Sequence, residues 1–163
     1  MYHDTGKIGI PDAVLFKPGP LNHEEWHTMH QHPIAGAELI QNGNGGMGLN
    51  GNLAAVVSAV RHHHEKWNGS GSPDGLSGPD IPLAARIIAI ADAFDAMMTD
   101  RPYRKALPYE DALEEILRCA GTHFDPEIAV YAAKVCWKQK YKQEIIFPRR
   151  IHPGGDMYAV YCL

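Results

Sequence analysis

Residues 83–100, "LAARIIAIADAFDAMMTD", are apolar on nearly every side of a helix, with only Arg86, Asp92 and Asp95 interrupting before the closing Thr99 and Asp100. Such a helix is normally central and buried, so the chain is expected to be built around it. Upstream, Asn22 in "LNHEEWHTMHQHP" can serve as an N-cap, with Glu24 and Glu25 in the positive first turn. This predicts a helix over 22–31 and a second over 33–40. "LAAVVSAVRHHHEKW" restores the period through Leu53, Val56, Val57 and Val60, which predicts a helix that carries the histidine run in its last turn and ends where "NGSGSPDG" supplies turn residues. Two more amphipathic helices are expected within 107–140, one opening after Pro108 and one at the N-cap-like Asp125 with Pro126 following. The tract at 42–52, rich in Asn and Gly, reads as a surface loop, and "MYAVYCL" near the end as a short strand. The pattern is all-α.

At 163 residues the chain suits one domain with its own core. A formal net charge of -4 supplies no broad basic field, which argues against DNA or RNA as a partner. Three cysteines without CxxC spacing suggest neither a disulfide framework nor a thiolate zinc site, and a reducing cytoplasm fits best. The start lacks the pattern of a signal peptide, and the most apolar run is broken by Arg86 and Asp92, so no membrane association is expected from this sequence.

The uneven feature is histidine. Of ten, His3, His30, His32, His62, His63 and His64 fall in three short groups. "HD" at His3 and Asp4, His32, the pair His63 and His64, and Asp92 together offer imidazole and carboxylate without thiolate, the ligand set of iron, manganese or zinc in hydrolytic sites. Adjacent ligands on a helix project about 100° apart, which favours two neighbouring metals with a bridging carboxylate, an arrangement suited to in-line displacement at phosphorus. His27, His30 and His123 are assigned nothing, since isolated histidines are more often surface or satisfied core residues. Asp92 sits in an apolar helix where an ionised carboxylate is costly unless paired or bound to a cation. Asp95, three residues on, shares its face and either supports a ligand or pairs with Arg86 or Arg101. Lys7 is expected beside Asp4, where its ammonium can meet a phosphate oxygen. "TDRPYRKAL" gathers Arg101, Arg104 and Lys105 around Tyr103, and guanidinium forks there suit phosphate.

The strings "HDTGKIGIPD", "EEWHTMHQHPIAGAELI", "RHHHEKWNGSGSPDGLSGPDIPLAARIIAIADAFDAMMTDRPYRKAL" and "AGTHFDPEI" occur in the order in which the HD-GYP branch of the HD phosphohydrolases carries them. The chain resembles that family from about residue 3 to about residue 130. The resemblance implies an HD-domain-like bundle of about five to seven helices over 1–134, with 135–163 a tail of unclear structure. It implies two or three divalent metals, iron or manganese, and hydrolysis of the bacterial second messenger cyclic di-GMP to pGpG and GMP in signal transduction. His3, Asp4, His32, His63, His64 and Asp92 match metal ligands, and Asp4 and Lys7 catalytic positions. Lys7, Arg101 and Arg104 match phosphate contacts, and Glu65, Gly69, Gly71, Ser72, Pro73 and Asp95 loop or supporting positions. GGDEF-type regulatory proteins are implied as partners. The family draws further ligands from helices upstream of the HD pair, where this chain has only Met1 and Tyr2, so an N-terminally truncated site is expected. In the signature loop Asn68 stands for Asp and Ser72 for Tyr. The alternatives are an impaired nucleotide- or protein-binding module and a phosphohydrolase acting on another nucleotide.

Overall fold

The computed structural model describes residues 2–43, 52–100 and 104–142. Among them the chain is all-helical in its regular structure. An opening 3-10 helix (Tyr2–Gly9) leads to α1 (Asp12–Leu15), α2 (His23–Met29), α3 (His32–Asn42) and α4 (Leu53–Arg61). A 3-10 turn at Gly78–Asp80 precedes α5 (Leu83–Met98), α6 (Tyr109–Arg118) and α7 (Pro126–Tyr141). The chain divides into two compact units, Met1–Ile88 and Ala89–Leu163. No helix among the described residues is long and apolar enough to cross a membrane.

Local chemistry sets the helix starts. Asn22 Oδ1 accepts from the Glu25 backbone at 2.9 Å while Glu25 Oε2 accepts from the Asn22 backbone at 2.8 Å, so two orphan donors at the start of α2 are satisfied reciprocally. Asp125 Oδ1 accepts from the backbone of Glu127 and Ile128, and Pro126 fills the first helical position, where an N–H would have no partner.

In the first unit α3 packs on α4 through buried Ala37, Ile40 and Val60, with Leu53, Val56 and Val57 closing the cluster. The opening 3-10 helix lies against α3 at a distance only glycine permits. A Cβ on Gly6 would overlap the His32 carbonyl oxygen and stand 2.5 Å from the Gly36 nitrogen; one on Gly36 would stand 3.0 Å from Gly6 nitrogen. These glycines serve close approach, which presses the HD pair onto the first turn of α3. In the second unit Ile90, Ala93, Met97, Ala112, Ile116, Phe124 and Ala129 form one buried cluster joining the end of α5 to α6 and α7.

One expectation needs revision. The apolar helix α5 is not covered all round: Ala85 is fully buried, but Leu83 and Ile87 are 57% and 49% exposed, because its covered side is a stripe and its apolar surplus faces out. Residues 135–141 continue α7 without a break, in keeping with the helix expected to reach 140. Between the opening 3-10 helix and α2 the chain forms one further helical turn, α1, with Pro11 at its N-cap. Residues 44–51 of the Asn/Gly tract and the strand expected at "MYAVYCL" lie outside the described residues.

Gly6→Ala is expected to cost about 3 kcal/mol in urea unfolding, the upper range for an overpacked core. Gly9→Ala, whose Cβ would meet nothing within 4 Å, is expected to change stability by no more than about 0.5 kcal/mol. Equal effects at the two positions would remove close approach as the role of Gly6.

Candidate metal centre

Three segments of the first unit supply the convergent groups: the opening helix gives His3 and Asp4, α3 begins at His32, and the turn after α4 gives His63 and His64. The histidine run does not end the helix as expected. α4 stops at Arg61, and His62 to His64 form a turn. The reason is local. A helix leaves its last carbonyls without amide partners, and here His63 Nδ1 takes the Val60 carbonyl at 2.6 Å, while His62 Nδ1 joins its own backbone N–H on the Ser58 carbonyl, at 2.8 and 3.1 Å. His32 Nδ1 makes the same contact with the Met29 carbonyl at 2.7 Å, at the end of α2.

Those contacts decide the tautomers. A carbonyl only accepts, so Nδ1 of His32 and of His63 carries the proton and each neutral ring turns a bare Nε2 lone pair toward the other. The two Nε2 atoms are 3.4 Å apart, and His64 Nε2 is 3.3 Å from that of His32. Facing lone pairs at that separation repel unless a cation lies among them. A proton is disfavoured there: burial, the largest influence, holds His63 down to about 4 and lowers His32 as well. A metal ion fits this donor set, because ligating histidines commonly give their other N–H to a carbonyl.

Asp4 completes the arrangement. Its Oδ1 is 3.4 Å from His32 Nε2 and its Oδ2 3.6 Å from His3 Nε2, so the two oxygens face different histidines, the disposition of a bridging carboxylate. Two overlapping groups result, His32 with His63 and His64, and His3 with Asp4 and His63, each with ligand atoms within 4.8 Å of one another. Lys7 Nζ lies 2.8 Å from Asp4 Oδ2. In a 3-10 helix residues three apart eclipse, which sets the ammonium directly over the carboxylate. The expected adjacency of Lys7 and Asp4 is therefore present, produced by a different helix type.

The signature loop folds back on the histidine turn. Gly69 has φ +81° and Gly75 φ +67°, the left-handed region that favours glycine. Gly71 is required by contact instead: a Cβ there would overlap the Lys66 nitrogen and lie 2.5 Å from Glu65 Cα. The Ser72 backbone donates to the His64 carbonyl at 3.2 Å, so the position that carries Ser in place of Tyr supports His64 through its main chain. Asn68 Oδ1 accepts from Ser70 N and Oγ at 3.0 and 2.7 Å, a local turn that needs only the amide oxygen. Glu65 is 2% exposed and accepts from the Asp74 backbone at 2.7 Å.

Asp74 escaped the sequence reading. Its carboxylate takes two hydrogen bonds of 2.8 Å from Arg61 and stands 2.9 Å from His62 Nε2. Arg61 is the main cause that holds its carboxyl at about 2, with His62 adding to it. The only signal was Asp-Gly inside a loop, which reads equally as turn chemistry. Asp92 and Asp95 belong to the second unit, on α5, Asp92 half-buried and Asp95 exposed. Arg104 donates to the Ala96 carbonyl at 2.6 Å, a contact with the end of α5 that its charge alone did not foretell. Arg101 lies outside the described residues.

Residues 1–128 match the HD domain family. The chain belongs to that family. A cyclic di-GMP phosphodiesterase of Vibrio cholerae serotype O1 is 41% identical to this HD domain over 139 residues, 85% of this chain and 28% of its own length. A 3'3'-cGAMP-specific phosphodiesterase 2 of the same organism is 41% identical over 126 residues, 77% of this chain and 23% of its own length. A solved cyclic GMP-AMP-specific phosphodiesterase of V. cholerae shares the fold, with a TM-score of 0.60 and 20% identity over 86% of this chain and 37% of its own. The HD domain chain thus spans less than a third of the length of these curated relatives.

The buried histidines predict an acid-labile apoprotein. The unfolded chain binds protons at His32 and His63 near the ordinary 6.5 while the folded chain resists them, His63 down to about 4. Stability is therefore fully present above pH 6.5 and falls as pH drops toward 4. Thermal midpoints of chelator-treated protein between pH 7.5 and 4 check this, and a His63→Gln variant should flatten the slope. A midpoint constant over that range would contradict the burial argument.

Proposed function

We propose that this HD domain is a phosphodiesterase that hydrolyses cyclic di-GMP to pGpG and GMP in signal transduction. The observation that carries the reading is the convergence of His3, Asp4, His32, His63 and His64 with Lys7 held at 2.8 Å from Asp4. These five groups would hold two or three divalent ions, iron or manganese. When bound, such ions supply Lewis acidity toward a phosphoryl oxygen and toward the attacking water.

The chain's own residues do the remaining work. Asp4 keeps the Lys7 ammonium beside the centre, where it can offset charge that develops on a non-bridging phosphoryl oxygen. The loop from Asn68 to Gly75 holds the His64 main chain and keeps the turn beside the site narrow, through Gly71. Hydrolysis of 3'3'-cGAMP is the second reading, favoured by the 41% identity to an enzyme named as specific for it.

Protein reconstituted with Mn²⁺ or Fe²⁺ should bind metal, release pGpG from cyclic di-GMP, and lose turnover on chelation. Chromatography of the products from cyclic di-GMP and from 3'3'-cGAMP separates the two readings. His64→Ala should weaken metal affinity about tenfold or more. Lys7→Ala should keep its metal and lose about a hundredfold in kcat. Full metal occupancy with no product from either dinucleotide would leave a binding module in place of an enzyme.

A further inference from the structure

Helix α2 buries none of its residues, yet it carries a tryptophan. Trp26 is 41% exposed. One face of its ring is spoken for: the His30 ring stacks on it with centroids 3.5 Å apart and planes 26° apart. His30 is itself fixed, its Nδ1 3.0 Å from the Trp26 carbonyl and its backbone donating to the same oxygen. The His30 ring then lies 6.2 Å from that of His64. A ladder of three rings therefore runs outward from the histidine cluster, and its last member is a large π surface in water.

An exposed indole held by one face has no folding role that the core requires, and its position argues for a ligand. We propose that the exposed part of Trp26 is a stacking platform for one guanine base of a cyclic dinucleotide, with His30 as its rigid backing. This rests on the phosphodiesterase reading above. A base is joined to its phosphate through the sugar, so its platform belongs beside the centre that holds the phosphate, not within it. Trp26 stands in that relation, two ring-to-ring steps of 3.5 and 6.2 Å from His64. Lys66 acts electrostatically on His30, so the ladder has an ammonium beside it that favours an anionic ligand. Stacking tolerates any base because each offers a π face, while a pinned ring loses little entropy when a base settles on it.

The rival account is that Trp26 merely props His30 and thereby the site. Three variants of the metal-loaded chain separate the two. Trp26→Leu keeps apolar bulk against His30 but offers no aromatic face; it should raise KM for cyclic di-GMP roughly tenfold, with kcat within about twofold and metal content unchanged. Trp26→Phe should restore KM to within about threefold of the parent. Trp26→Ala should resemble Leu. Binding is read separately by indole fluorescence: quenching on cyclic di-GMP addition should be present in the parent and largely absent in the Phe variant. Leu and Phe variants with equal KM, or quenching that survives in the Phe variant, would overturn the platform. A fall in kcat or metal content at unchanged KM would give Trp26 the propping role in its place. If the parent neither binds nor cleaves cyclic di-GMP, the phosphodiesterase reading fails first and the platform falls with it, an outcome distinct from the others.

Discussion

Two imidazole N–H groups given to helix-terminal carbonyls organise the first unit. His32 donates to the end of α2 and His63 to the end of α4. Each contact satisfies a carbonyl that a helix end leaves open, fixes which nitrogen carries the proton, and points the other lone pair inward. A single local bond thus does structural and chemical service together. It also makes the centre costly without a cation, since bare Nε2 atoms at 3.4 Å have nothing else to share. Preorganisation of this kind spends folding energy to set the ligand field in advance, and the resulting lone-pair repulsion is released when a cation enters.

The remaining ligands arrive through close backbone packing. Gly6 and Gly36 let the opening 3-10 helix touch α3, so Asp4 reaches His32 without a long side chain. The 3-10 geometry then eclipses Lys7 with Asp4. On the opposite side Gly71 lets the loop press on Glu65 and Lys66 while Ser72 holds the His64 carbonyl. Arg61 and His62, fixed at the end of α4, grip Asp74 and close the loop on itself. Shape at this centre comes from what glycine permits, and charge from what short polar side chains can reach.

Much of this was legible in the residues, and the failures have physical causes. Caps and periodicity placed α2, α6 and α7, because Asn22, Pro108 and Asp125 act within a few residues of themselves. The grouping of His3, Asp4, His32, His63 and His64 was visible as ligand chemistry without thiolates, and the geometry brings those five side chains together. The end of α4 was misplaced because Arg61-His62-His63-His64 continues a helical pattern, and residue type alone does not say that the imidazoles will turn back onto the Ser58 and Val60 carbonyls and leave the helix. Asp74 was invisible because its partners lie 12 and 13 residues away, beyond any local period. α5 looked uniformly buried because apolarity around a helix does not say how much of its circumference neighbours will cover.

On the phosphodiesterase reading proposed above, selectivity has to come from outside the histidine cluster. Imidazole, carboxylate and ammonium groups recognise a phosphodiester and its charge, which cyclic di-GMP and 3'3'-cGAMP share in full, so no rearrangement of His32, His63 or Asp4 can tell them apart. The two ligands differ only at the edge of one purine. A stacking surface such as Trp26 gains affinity for either purine without discriminating between them, because the π face is common to both. Discrimination then requires a donor or acceptor aimed at the exocyclic groups, and leaving such a group unpaired against the wrong base is what makes rejection strong. On that reading the centre and its aromatic ladder would define a substrate class, and the choice within that class would be left to polar groups that meet the base edge.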